Sequence, residues 1–138
     1  MEASKEAIIQ AHAKSIRLSD KEQRLLVLIY NCFKHRDRVK IECTVINAII
    51  KHISFYNMDE LNETIDSASD EETFDIYCSL EDKLFIHDKD SAGLTFGIHY
   101  LSEIKIQNGV GEIEVTDSFM PFMENYIRDI VDIELLSL

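Results

Sequence analysis

Apolar and polar residues along the chain keep a helical rhythm for most of the length and then change to a strand rhythm. Over roughly Ser4 to Ile16, Ala7, Ile8, Ala11 and Ser15 fall on one face of a 3.6-residue period. That pattern predicts a modest amphipathic helix, which needs a surface to dock against. Ser19-Asp20-Lys21-Glu22 has the form of a capping box, with Leu18 before it as a hydrophobic staple. The segment KEQRLLVLIYNCF that follows is apolar at Leu25, Leu26, Ile29, Tyr30 and Phe33, with Leu28 and Cys32 widening the stripe. So broad a stripe predicts a central, mostly buried helix.

The basic run KHRDRVK, Lys34 to Lys40, interrupts the pattern. A short strand is expected at Val39 to Cys43, and Thr44 is placed to cap a third helix, Val45 to Ile53, carrying Val45, Ile46, Ile49, Ile50 and Ile53. The same stretch, IECTVINAII, is β-branched enough to suit extended chain as well. Asn57-Met58-Asp59 opens an acidic helix through about Ser67, with Met58, Leu61 and Ile65 at helical spacing. A second capping box, Ser69 to Glu72, opens a helix holding Phe74, Tyr77, Cys78 and Leu80 or Leu84. Carboxylates cluster in its first turn, where the helix dipole favours them.

The period then falls to two. Leu84–Asp88 is a strand candidate, Lys89–Gly93 a turn, and Leu94–Ile106 a long strand or strand pair in which Gly97 marks a bulge or bend. Asn108-Gly109 is a hairpin turn leading into a strand at Glu112–Thr116. Alternation puts Ile104 and Ile106 on one face with Ile113 and Val115, which leaves two registers open. Lys105 faces Glu112 in one and Glu114 in the other. Asp117 or Ser118 starts a terminal helix with Pro121 in its first turns, followed by Phe122, Tyr126, Ile130 and Ile133.

These elements predict an α+β fold of five or so helices and a two- to three-stranded antiparallel hairpin sheet. At 138 residues the chain suits one domain, 1–138, in which residues 1–17 form an N-terminal helical extension. No signal peptide and no apolar run of the roughly 18 residues that a membrane span needs is visible, so the expectation is a cytoplasmic protein with no membrane association. Cys32, Cys43 and Cys78 are odd in number and have no CxxC spacing. They suggest neither a disulfide framework nor a zinc site, and read most simply as small core residues.

Charge changes the picture more than composition does. The net charge is −12, but residues 1–57 hold ten Lys/Arg against six Asp/Glu, and residues 58–138 hold four against twenty. The back half would repel a phosphate backbone. It reads either as a solvated acidic surface or as a face for a basic partner.

Motifs for catalysis are missing: there is no GxSxG, P-loop, HExxH or calcium-loop pattern, and Gly109 and Gly111 sit in a hairpin rather than between a strand and a helix. His87 with Asp88 and Asp90 is the nearest approach to a metal or acid–base cluster, and turn formation explains it equally. No catalytic residue, metal or cofactor is therefore predicted. Lys34, His35, Arg36, Arg38 and Lys40 are the one nucleic-acid-like feature. Lys34, Arg36, Arg38, Lys40 and Lys51 are the candidate phosphate contacts. If the Val45–Ile53 helix read bases, it would offer Asn47, Lys51 and His52.

LSDKEQRLLVLIY (Leu18–Tyr30) resembles the opening of the first winged-helix domain of plasmid replication initiator proteins. FGIHYLSEIKIQNGVGEIEVTDSFMPFMENY (Phe96–Tyr126) is similar to the later part of that domain: a strand, a Gly-x-Gly hairpin tip (here Gly109-Val110-Gly111), a Glu/Ile/Val strand, and a helix start at Phe119, Pro121 and Met123. The resemblance spans about 100 residues and is loose between Val39 and Phe85. It implies a winged helix used for dimerisation in DNA replication, with a second domain following in the full family. The acidity departs from the family's DNA-binding surface.

Three readings follow. One is a non-enzymatic winged-helix domain acting through self-association or protein contact in replication or its control, as a homodimer or with a protein partner. Apolar Ile130, Ile133, Leu135 and Leu136 are its candidate interface. Another is a small acidic mobile-element protein that inhibits a nucleic-acid-binding enzyme by mimicking DNA charge. The third is a sequence-specific DNA binder, which the net charge disfavours.

Overall fold

A computed structural model of the protein describes residues 18–46, 51–87 and 96–130. The expected Ser4–Ile16 helix and extension, Asn47, the turn at Lys89–Gly93, and Ile133, Leu135 and Leu136 lie outside the described residues. Within them the fold is α+β. Helix α1 spans Asp20–Lys34, α2 Met58–Thr64, α3 Asp70–Asp82 and α4 Met120–Ile130. The strands are β1 Cys43–Ile46, β2 His52–Phe55, β3 Leu84–His87, β4 Phe96–His99, β5 Leu101–Gln107 and β6 Val110–Val115.

The six strands form two antiparallel sheets, one of order β1-β2-β6-β5 and one pairing β3 with β4. This corrects the expectation of two or three strands. It also corrects the third helix: Val45 and Ile46 end β1, and Ile53 lies in β2. The strand begins at Cys43 rather than Val39. The physical reason is pairing. Val45, Ile53, Ile113 and Ile104 stand opposite one another across all four strands, an apolar row that a helix at 45–53 could not complete. Beta-branched side chains, stiff at χ1, suit that pleated surface.

Helix α1 begins as its sequence dictates. Ser19 Oγ accepts from the Glu22 amide at 3.2 Å and the Glu22 carboxylate accepts from the Ser19 amide at 2.9 Å. Leu25, Leu26, Val27, Leu28, Ile29 and Cys32 are buried, so almost the whole circumference of the helix lies in the core. Glu22 itself is buried, and Lys83 donates to it at 2.5 Å and Ser79 at 3.0 Å, which joins α1 to the end of α3. Burial raises the Glu22 pKa, but the Lys83 bond and the Ser19 amide and hydroxyl outweigh it and hold the carboxyl below its usual range.

Helix α3 packs on β5, and a close approach of the helices to the sheet occurs at β6. A Cβ at Gly111 would meet Met58 Sδ of α2 at 2.8 Å and Tyr77 Oη of α3 at 3.0 Å, so only glycine leaves room for both. The expected bulge is displaced. Gly97 pairs in regular register with Ile86, and the irregularity falls between Leu101 and Glu103 instead. Before α4 a short 3-10 turn, Asp117–Phe119, precedes Pro121 in the first helical turn, where its missing N–H costs nothing. Phe119 seats against Tyr100 and Phe85, with ring centroids 5.0 and 5.3 Å away.

Candidate interaction surfaces

Lys34 is the last residue of α1, Arg36 and Arg38 sit in a 3-10 turn, and Lys40 follows; all four are exposed. The turn is closed by the Arg38 amide on His35 O (2.9 Å) and the Val39 amide on Arg36 O (3.2 Å). It is anchored at both ends, by Cys32 in α1 and by buried Ile41. The structure thus gathers four of the five predicted phosphate contacts on one tight loop. Lys40 also borders a cleft of about 420 Å³ shared with Arg24 and with the α2 carboxylates Glu60 and Glu63, so part of the basic charge faces this chain's own acid.

Lys51 is not part of that group. It precedes β2 at the Ile46 end of the β1–β2 hairpin, whereas the basic loop joins β1 at Cys43, roughly 10 Å away along a four-residue strand. Its backbone has φ +56°, and its carbonyl accepts from the Val115 amide at 3.0 Å. With Val45 and Ile46 in β1 and His52 and Ile53 in β2, Lys51 and His52 do not form a base-reading helical face. His52 Nε2 instead lies 4.0 Å from Glu112 on the sheet surface.

The second surface is acidic. Helices α2 and α3 are joined by five residues, Ile65–Ser69, with Asp66 at φ +60°. A polar bracket fixes their angle. Asn62 donates to Asp70 at 2.7 Å, Thr73 Oγ1 lies 2.5 Å from Asn62 Oδ1 and 2.8 Å from Ser67 Oγ, and the Ser67 amide donates to Asn62 O at 2.7 Å. Ser69 caps α3 through the Glu72 amide, although the Glu72 carboxylate reaches back to the Ala68 amide rather than to Ser69. Glu72 also pairs with Lys21 of α1, a bond that pulls the Glu72 pKa down and the Lys21 pKa up.

Helix α3 buries Thr73, Ile76, Tyr77 and Leu80, so the opposite side displays Asp70, Glu71, Phe74, Asp75 and Asp82. Phe74 is 39% exposed. Periodicity groups it with Tyr77 on one stripe, but Thr73 takes the inner position because Asn62 and Ser67 need its hydroxyl. The displaced phenylalanine amid carboxylates is the feature that sequence reasoning missed, and its signal was the Glu71–Asp75 pair flanking it at helical spacing.

The β5–β6 hairpin turns through Asn108 (φ +54°) and Gly109 (φ +76°), both left-handed as this tight turn requires. Of the two registers open to the sequence it adopts the one that pairs Gln107 with Val110 and Lys105 with Glu112. Lys105 Nζ is 2.7 Å from Glu112, which Ser54 also approaches at 3.3 Å, and Ser102 donates to Glu114 at 2.9 Å. The lysine of this hairpin is therefore engaged by a carboxylate.

Ile130 ends α4, and the other predicted interface residues are among those not described. Among the described residues no three His, Cys, Asp or Glu side chains gather as metal ligands would, and no helix is long and apolar enough to cross a membrane. Comparison with family models, with curated proteins and with solved structures finds no match to this chain.

Proposed function

We propose that this chain is a non-enzymatic winged-helix module that works by protein–protein contact in DNA replication or its control, in the manner of the first domain of plasmid replication initiators. The order of elements supports the winged-helix reading. A central helix, α1, is followed after the β1–β2 hairpin by a two-helix unit, α2–α3, with a five-residue turn, and after the β3–β4 pair comes the β5–β6 hairpin, which this reading takes as the wing. On this reading α3 is the helix that corresponds to a recognition helix. The observation that carries the functional reading is what this helix displays: Asp70, Glu71 and Asp75 near an exposed Phe74, with Asp82 further along the same helix. Carboxylates repel phosphates, while an aromatic anchor rimmed by charge is how protein interfaces are built.

Sedimentation velocity and peptide titration test this reading. A concentration-dependent dimer at micromolar protein, weakened by Phe74→Asp, makes the partner a second copy. A monomer that binds an arginine-rich peptide, with affinity falling as salt rises and lost in Glu71→Gln/Asp75→Asn/Asp82→Asn, makes the partner a different, basic protein. A monomer that binds neither contradicts the proposal.

The row Glu71, Asp75 and Asp82 along one exposed side of α3 also favours a second reading, the mimicry of DNA charge against a nucleic-acid-binding enzyme. That reading requires the chain to compete with duplex DNA for such an enzyme, and failure to compete would exclude it.

A further inference from the structure

The sulfurs of Cys32, in the last turn of α1, and Cys43, the first residue of β1, lie 3.4 Å apart. The fold imposes this meeting. Cys43 stands in the inward-facing row Cys43–Phe55–Gly111–Ile106, and Cys32 is on the face of α1 that packs over it. Cys32 is fully buried and Cys43 is half-buried, so Cys43 is the member of the pair nearer to solvent and Cys32 sulfur lies 3.4 Å behind it. Between them run the ten residues Phe33–Glu42, which contain the whole basic loop.

We propose that Cys32 and Cys43 form a peroxide-sensitive dithiol, a modification site in which Cys43 attacks, Cys32 resolves, and the resulting disulfide closes the basic loop into a covalent ring. The Cys43 thiolate attacks one oxygen of a hydroperoxide such as hydrogen peroxide; the O–O bond breaks, an S–O bond forms, and hydroxide leaves. Cys32 sulfur then attacks Cys43 sulfur. The S–S bond forms, the S–O bond breaks, and the departing hydroxide takes the Cys32 proton and leaves as water. Two thiols lose two electrons, which reduce the peroxide.

The electrostatics distribute these roles. The hydrogen bond shared with Cys32 lowers the Cys43 pKa; burial opposes it and the charge of Arg36 assists, leaving Cys43 at about 7. The same bond, together with burial, pushes Cys32 up, so it keeps its proton until the sulfenic acid has formed. Cys78 is an internal control. Burial raises its pKa, as do Glu81, Asp75 and Asp82, and no other thiol is described beside it.

Tryptic digestion maps the outcome, because the three cysteines fall in three separate peptides, 25–34, 41–51 and 52–83. The reduced full chain is treated with a small molar excess of hydrogen peroxide, quenched, alkylated and digested without reductant. The expected product is peptide 25–34 disulfide-linked to peptide 41–51, with Cys78 still alkylated, free thiols falling from three to one, and full reversal by dithiothreitol. In the chain unfolded by urea the selectivity should disappear. Cys32→Ser should leave Cys43 as a sulfenic acid trapped by dimedone, and Cys43→Ser should leave Cys32 unreacted. Because Cys32 is buried and its replacement is able to disturb folding, the wild-type map decides by itself. A native map in which Cys78 reacts first, Cys43 proceeds to sulfinic acid without a cross-link, or no thiol is lost overturns the proposal.

Discussion

The β1–β2 and β5–β6 hairpins lie in the same sheet and share one apolar row, yet they are held in place by different forces. The β5–β6 hairpin is specified locally. Asn108-Gly109 supplies two left-handed residues, the strands alternate, and Lys105 sits opposite Glu112. The β1–β2 hairpin is specified from outside. Its re-entry residue is a lysine at φ +56°, its carbonyl is tied to β6 through Val115, and β2 is clamped between β1 and β6. One hairpin could nearly be drawn from its own residues; the other exists because β6 is there to receive it.

The largest effect should come from the shared row. Ile53 and Ile113 are paired and fully buried. Ile53→Ala and Ile113→Ala should each lower unfolding free energy by about 2–5 kcal/mol in chemical denaturation. The double variant should cost less than the sum, since the two residues share one contact. Full additivity would mean that β2 does not lean on β6 as described. Gly111→Val comes next, at about 2–3 kcal/mol, because its methyls enter the space of Met58 Sδ and Tyr77 Oη. A neutral Gly111→Val would remove the case for a helix–sheet contact.

The two turns give a sharper contrast at lower energy. Gly109→Ala should cost about 1 kcal/mol, since the alanine must hold φ +76°. Lys51→Gly should do the reverse, being neutral or stabilising by up to about 1 kcal/mol in the same melts. The smallest effect belongs to Lys105→Ala on the open face of the sheet. The hydrogen bond from Lys105 is the main cause that lowers the Glu112 pKa, with burial opposing it. A depressed carboxylate contributes stability that is present above its ordinary pKa and lost as pH falls through the lowered value. Stability measured from pH 6 to 3 should therefore fall slightly less in Lys105→Ala than in the parent, and a steeper fall would contradict the pairing.

The same division explains what could be read in the residues. Ser19–Glu22, the α3 cap at Ser69, Asn108-Gly109 and Pro121 are local signals, and each stands where its chemistry placed it. The segment Val45–Ile53 was ambiguous because Val, Ile and Thr satisfy a helical stripe and a strand equally, and only the partner strand decides. Periodicity places Phe74 with Tyr77 and Leu80 on one helix and does not register that Thr73 is held inside by Asn62 and Ser67. The Cys32–Cys43 contact, eleven residues apart on a helix and a strand, has no spacing signature at all. The charge asymmetry was visible from the start. Its placement on α3 depended on the fold.

The proposal that this is a winged helix turned toward protein rests on an acidic α3 and a hairpin whose lysine is already paired. Its most direct test is a fluorescence anisotropy titration of the chain against labelled duplex DNA at about 50 mM salt, where phosphate attraction is strong. The account predicts no saturable binding up to micromolar protein, and no change in Arg36→Ala/Arg38→Ala. Submicromolar binding that weakens steeply with salt and is lost in that double variant would contradict it, and would return the basic loop to the role of a phosphate clamp.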